Sequence, residues 1–349
     1  MHDRRECERA RDRIVHLMLL PPSTSVAALM VGGGGGAPTG HRYWRIYITD
    51  NDTAGHTVAA VVEIQLHSGT TGYGADQTGS GTASVDSNAG SGQVASNAVD
   101  DELFDVNANV WASTNTAFPH WWKYDFGSGN DVDVTGVSII ARGDGPDGVG
   151  GTVNNMAPRD FDVQYSDNDS TWTTRWSETS RSFTRYQFRH FRAGTAASYS
   201  GSPHGSHQHW RIRMVEDNGG NISSASEIEM RATPSGSDQC SGGTPISDGD
   251  IGSGLVDDNA FDNNNSTFFG STLTASGAAY IGYSFAAPVA VAEVTWRSRG
   301  DGATDQTPRS FFIQYADSGS GPWTTAWGVS NSTGWSIGQT RTFTDPNYV

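Results

Sequence analysis

The chain has 349 residues, enough for two domains of ordinary size, and its formal net charge of −16 argues against nucleic acid as a partner. Duplex binding draws its affinity largely from Lys and Arg neutralising phosphates, and Lys123 is the only lysine here. Hydrophobic residues are only 35% of the chain, yet 11 Trp, 11 Tyr and 14 Phe supply large apolar area, while 43 Gly with abundant Ser, Thr, Asn and Asp disfavour long helices.

The chain opens on a segment of different character. Arg4, Arg5, Arg9, Arg11 and Arg13 alternate with acids, and Ile14, Leu17 and Met18 follow at the spacing of one helix face. This predicts a short amphipathic helix that stops before Pro21-Pro22, because a residue preceding proline is biased away from helical backbone. A Gly-rich stretch to Pro38 reads as a flexible linker. Residues 1–40 are therefore expected to be an anchor to a larger assembly or a tail, with an upstream start codon as the alternative. The acids Asp3, Glu6, Glu8 and Asp12 fit a signal peptide poorly. No apolar run reaches the roughly 20 residues that would cross a bilayer. Cys7 and Cys240 fall in different segments, so no disulfide framework is expected.

From residue 41 the sequence repeats itself in order. His41-Arg42-Tyr43-Trp44-Arg45-Ile46 is answered by His207-Gln208-His209-Trp210-Arg211-Ile212, and Val62-Glu63-Ile64-Gln65-Leu66 by Ser226-Glu227-Ile228-Glu229-Met230. Asn97-Ala98-Val99-Asp100 returns as Asn259-Ala260-Phe261-Asp262, Tyr124-Asp125-Phe126 as Tyr283-Ser284-Phe285, and Arg142-Gly143-Asp144-Gly145 as Arg299-Gly300-Asp301-Gly302. The longest block, Pro158-Arg159-Asp160-Phe161-Asp162-Val163-Gln164-Tyr165-Ser166-Asp167, returns as Pro308-Arg309-Ser310-Phe311-Phe312-Ile313-Gln314-Tyr315-Ala316-Asp317, with Trp172-Thr173-Thr174 and Trp323-Thr324-Thr325 beyond. An ordered repeat fixes organisation more firmly than composition does. It predicts two copies, at 41–205 and 206–349, the first with longer loops at 101–119 and 146–157.

Within the blocks apolar residues alternate, as in Trp44, Ile46, Ile48 and in Phe161, Val163, Tyr165, the period of strands with one buried face. Short strands divided by Gly, Asn, Asp and Pro turns predict an all-β fold of sandwich type. The Arg-Gly-Asp triplets at Arg142 and Arg299 read as a turn common to both copies. His204, His207 and His209 read as an inter-copy loop, with a metal site as the alternative.

Taken together, the blocks resemble the discoidin-like, galactose-binding-like family, also called the coagulation factor 5/8 type C fold. The carriers are the Ala-x-Asp loops, Trp121-Trp122-Lys123-Tyr124-Asp125-Phe126-Gly127, and the block ending in Gln-Tyr-Ser-Asp at 164–167. The resemblance implies two tandem jelly-roll sandwiches. The Trp-Arg-Ile and Glu-Ile blocks come first in each copy, where the family usually places them last, and tandem modules of bacteriophage virion proteins look like this permuted form. The family also implies a structural calcium under the Ala-x-Asp loop, which points to Glu63 with Asp100, and to Glu227, Asp262 and Thr267, the second copy keeping the better loop. The bland reading of these acids is turn capping. For sugar contacts on the end loops the resemblance implies Trp111, His120, Trp121, Arg142 and Asp144 in the first copy, the preferred one, and Phe269, Arg299 and Asp301 in the second. Core packing is the competing reading for the rings, and the preferred one for Trp122, Trp172 and Trp323.

No Gly-x-Ser-x-Gly elbow, His-Glu-x-x-His or Walker loop stands in the sequence. The expectation is a non-enzymatic bacteriophage virion protein, a tail or head fibre or a capsid decoration, that binds host-surface glycan and is built into an oligomer with other virion proteins, without nucleic acid or membrane insertion. The alternatives are a purely structural virion module and a secreted bacterial carbohydrate-binding protein.

Overall fold

Alternating apolar residues become strands because each turn motif ends one strand and lets the chain reverse. The computed structural model describes residues 40–103, 109–143, 156–194, 202–219, 222–252, 254–273 and 279–348. The amphipathic helix and linker expected before residue 40 lie outside the described residues, as does Asp144. No described helix is long and apolar enough to cross a membrane.

The first ten strands are β1 (Tyr43–Asn51), β2 (Ala60–Val61), β3 (Glu63–Ser68), β4 (Thr82–Val85), β5 (Trp111–Ala112), β6 (His120–Asp125), β7 (Val134–Ile140), β8 (Pro158–Ser166), β9 (Thr173–Glu178) and β10 (Phe188–Arg192). The next ten are β11 (His207–Asp217), β12 (Ile222–Ala225), β13 (Glu227–Arg231), β14 (Thr244–Ser247), β15 (Phe269–Thr272), β16 (Ala279–Val289), β17 (Glu293–Arg297), β18 (Pro308–Ala316), β19 (Thr324–Val329) and β20 (Thr340–Thr344). The fold is all-β, and each strand of the first set has its counterpart ten places on. A five-stranded sheet β4-β6-β1-β8-β9 is answered by β14-β16-β11-β18-β19, a three-stranded sheet β10-β7-β3 by β20-β17-β13, and the pair β2-β5 by β12-β15. In each half the five-stranded and three-stranded sheets enclose a core rich in aromatic rings, with Trp44, Trp111, Trp122 and Phe161 in the first and Trp210, Trp296, Phe269 and Phe311 in the second. Each such side chain contributes roughly 1.5–3 kcal/mol on burial.

The repeated blocks recur because they are one another's partners. Arg45 Nε donates to Gln164 Oε1 at 2.7 Å, and Arg211 Nε to Gln314 Oε1 at 2.8 Å. His41 stacks on Tyr165 with centroids 3.7 Å apart and bonds Asp167 through Nδ1; His207 does the same with Tyr315, at 3.9 Å, and Asp317. His204 meets Asp345 through Nε2, and its carbonyl bonds Nε2 of His207. The amide of Asn97 spans the carbonyls of Gly92 and Val110, as that of Asn259 spans those of Gly254 and Phe268. Gly81 and Gly243 give their N–H to the hydroxyls of Tyr124 and Tyr283. A Cβ there would lie 2.3 Å from the Asp125 carbonyl oxygen or 2.2 Å from that of Ser284, so only glycine fits.

The two halves pack on each other within one compact unit. Period-two alternation sends Phe311, Ile313 and Tyr315 of β18 inward and leaves Phe312 on the outer face. That face meets the outer face of β3, β7 and β10. Phe312 and Val215 join Val62, Ile140, Met156 and Tyr186 in a third apolar cluster, with Phe188 packed against it.

Candidate functional site

Three carboxylates meet where the start of β3 approaches the Ala-x-Asp loop of the first half. One oxygen from each of Glu63, Asp76 and Asp101 lies within 4.8 Å of the others. Both Glu63 oxygens and Oδ1 of Asp101 are buried with no hydrogen-bond partner. Burial, and then the neighbouring charges of Asp101 and Asp76, push the Glu63 carboxyl well above the ordinary range. Burial also pushes Asp76 up to about 7, against the pull of its bond from Thr78. Asp101 is raised by burial and held back by Arg211 and Arg213 of the second half. Buried carboxylates with orphaned oxygens are a donor set of hard ligands, the kind that a divalent cation such as calcium takes.

The sequence pointed to Asp100 in this loop. Its Oδ1 instead accepts the Glu102 N–H at 2.9 Å and caps the turn, and burial raises its carboxyl to about 6. Asp101, in left-handed backbone with φ 60°, takes the place beside Glu63. Asp76 was missed, although its counterpart Asp238 repeats its role: Asp76 Oδ1 accepts the Leu66 N–H and Asp238 Oδ1 the Met230 N–H.

In the second half Glu227 is likewise buried with both oxygens unpartnered, and burial followed by the charges of Asp262 and Asp238 raises it to about 7. Asp262 accepts the Thr267 hydroxyl at 2.7 Å and the Asn264 N–H at 2.8 Å. Asn263, with φ 57°, stands where the first half has Asp101, so this site has one carboxylate fewer. The three-carboxylate grouping thus belongs to the half whose loop looked poorer in sequence.

The sugar candidates divide by burial. Trp111 and Phe269 are 0% exposed and His120 1%, so none presents a face to a ligand. Trp111 donates its indole N–H to the Ser87 carbonyl, and His120 is held between Asp86 Oδ2 at 2.7 Å and the Thr57 carbonyl at 2.9 Å. Trp122 is also core, whereas Trp172 and Trp323 lie on the outer faces under the guanidinium groups of Arg45 and Arg211. Arg142 is buried where β7 ends, and the Tyr186 N–H bonds its carbonyl. Trp121 stays part-exposed on the outer face of β6, its ring 5.5 Å from Lys123 Nζ.

Arg299 and Asp301 also remain accessible. The two side chains form a fork-to-carboxylate pair, Arg299 Nη1 donates to Gln306 Oε1 at 3.2 Å, and the guanidinium lies 4.7 Å from the centre of the part-exposed Phe268 ring. Phe268, one residue from the expected Phe269, is the ring that reaches the surface. Fixed donors and acceptors beside an aromatic edge are what a polyhydroxylated ligand requires.

Residues 97–200 match the family described as NedA-like, galactose-binding domain, of F5/F8 type C. The match runs from the Asn97 loop through β10, and β1 and β3 lie before it in the chain. No curated protein and no solved structure matches the chain. Residues 97–200 are thus similar to galactose-binding-like domains, a kind whose usual role is carbohydrate binding without catalysis.

Proposed function

We propose that the protein is a non-enzymatic carbohydrate-binding component of a bacteriophage virion, in a fibre or capsid decoration, that presents its two β units to host-surface glycan. The galactose-binding match over 97–200 carries the carbohydrate part of this reading. The virion part rests on the permuted tandem order of the blocks, and localisation to the particle follows from it.

The contact surface is the Arg299, Asp301, Gln306 and Phe268 cluster. Asp301 holds the Arg299 fork in place, so its remaining N–H groups can donate to adjacent sugar hydroxyls while the carboxylate accepts from a third. Phe268 supplies an apolar edge for the C–H face of the ring. A divalent cation held by Glu63, Asp76 and Asp101 would supply charge neutralisation and fix the Ala-x-Asp loop to β3, a structural role. Single sugar sites of this kind bind weakly, and their display in many copies supplies avidity through effective concentration.

A pull-down on host surface polysaccharide tests the reading. The wild-type protein is retained, Arg299→Ala and Asp301→Ala are lost from the resin, and mass spectrometry of purified particles finds the chain. Retention unaffected by both substitutions contradicts the assignment of the site.

A further inference from the structure

The seam between the halves joins two kinds of surface, and one of each kind remains uncovered by any described residue. Inside the chain the outer face of β11, β18 and β19 sits on the outer face of β3, β7 and β10. Besides the apolar cluster around Phe312, the Thr325 N–H donates to Gln65 Oε1 at 3.3 Å and the Asp76 N–H to Thr324 Oγ1 at 3.2 Å. Arg213 Nη2 reaches Glu102 Oε2 at 2.9 Å. The counterpart of the first surface is the outer face of β1, β8 and β9, and that of the second is the outer face of β13, β17 and β20.

These two remaining faces have changed in matched ways. By strand register Asp162 stands in the place of Phe312, and Arg297 in the place of its cluster partner Ile140. An apolar contact is thereby replaced by opposite charges, and Arg297 Nε is buried with no hydrogen-bond partner. The ion pair of Arg213 with Glu102 becomes Tyr47 with Asn264, a neutral polar pair. Thr173 and Asp238 keep the residue types of Thr324 and Asp76, while Thr174 and Glu229 keep the donor and acceptor of Thr325 and Gln65. Thr340 replaces Phe188, and Ser177 replaces Gly328, where a Cβ would lie 2.8 Å from that of Phe188. The resulting seam is polar and more open than the internal one.

We propose that a second copy of this chain docks head to tail, repeating the internal packing, with Asp162 of one copy set against Arg297 of the next. The contact is heterologous, so successive copies extend into a filament or close into a ring. By register Phe268 and Gln306 stand in the places of Val110 and Met156 of the internal cluster, so docking covers the proposed sugar surface except at the end of a filament, and the association is tested without glycan.

Sedimentation velocity on the full chain across a concentration series tests this. The wild-type protein associates with rising concentration. Asp162→Arg alone and Arg297→Asp alone each set like charges across every seam and weaken association by about tenfold or more. An equimolar mixture of the two variants restores it, because every seam in the mixture then carries opposite charges, and the double variant associates by itself. Both positions are part-exposed, so circular dichroism of each variant should match wild type. A wild-type protein that stays monomeric throughout, single variants that associate as well as wild type, or a mixture that stays monomeric overturns the proposal.

Discussion

Truncating Phe312 to alanine removes a ring with no exposed surface from the apolar cluster that joins the two halves. A buried Phe→Ala change costs about 3–5 kcal/mol, the transfer term plus the cavity left behind. For cooperative units of the size of each half, about 2–4 °C of melting temperature is lost per kcal/mol, which gives a fall of roughly 6–20 °C. The fold supplies its own control. Asp162 occupies the same register position on β8 that Phe312 occupies on β18, but on an uncovered face, so Asp162→Ala in dilute protein should cost within about 0.5 kcal/mol. Calorimetry of both variants reads the difference, and Phe312→Ala should also separate one transition into two as the halves lose their coupling. A fall of under about 2 °C for Phe312→Ala, or equal falls for the two variants, would refute the view that this cluster holds the halves together.

Three further outcomes follow from the carboxylates and the tight turns. Calcium at about 100 times its dissociation constant should stabilise the protein by about 2.7 kcal/mol, and Glu63→Gln or Asp101→Asn should abolish the gain in a thermal melt. In EDTA the pH dependence has a definite sign. Asp76 and Glu227 have folded values raised to about 7, above their unfolded carboxylate values, so the folded state holds protons that the unfolded state releases. Stability measured by urea unfolding should therefore fall as pH rises from about 4 to 7 and level off above, and calcium should reduce that slope by favouring the ionised forms. Gly243→Ala should lower the melting temperature by more than an alanine substitution at exposed Gly79, because its Cβ would meet the Ser284 carbonyl oxygen at 2.2 Å while a Cβ at Gly79 would have nothing within 4 Å; equal melts would contradict the steric argument.

The β architecture was legible because the repeated blocks contain both members of each tertiary pair. Arg45 and Gln164, or His41 and Asp167, sit in different blocks and recur together, so the repeat already carried the contact. The placement of His120 was also readable. It alternates with Trp122 and Tyr124 on β6 and so faces inward with them, while Trp121 faces out; the polar flanks of these residues suggested the reverse for His120. Trp111 misled for a related reason, since a two-residue strand gives no period to read. Asp76 was hidden in a Gly-rich connection with no apolar pattern, and only its equivalence to Asp238 marks it. The choice between Asp100 and Asp101 depends on one left-handed residue, a backbone property that the loop sequence does not encode by spacing. The seam between the halves left one trace, the exchange of Asp162 for Phe312 inside otherwise matching blocks, and a single exchange does not say which side is covered.

Carbohydrate recognition through the Arg299 and Asp301 surface is open to direct test on a glycan array probed with the full chain. The wild-type protein should bind glycans that include galactose-terminated ones, with signals lost for Arg299→Ala and Asp301→Ala while their melting temperatures stay near wild type. An array on which the wild-type protein binds nothing, or on which both variants bind as well as wild type, would contradict it.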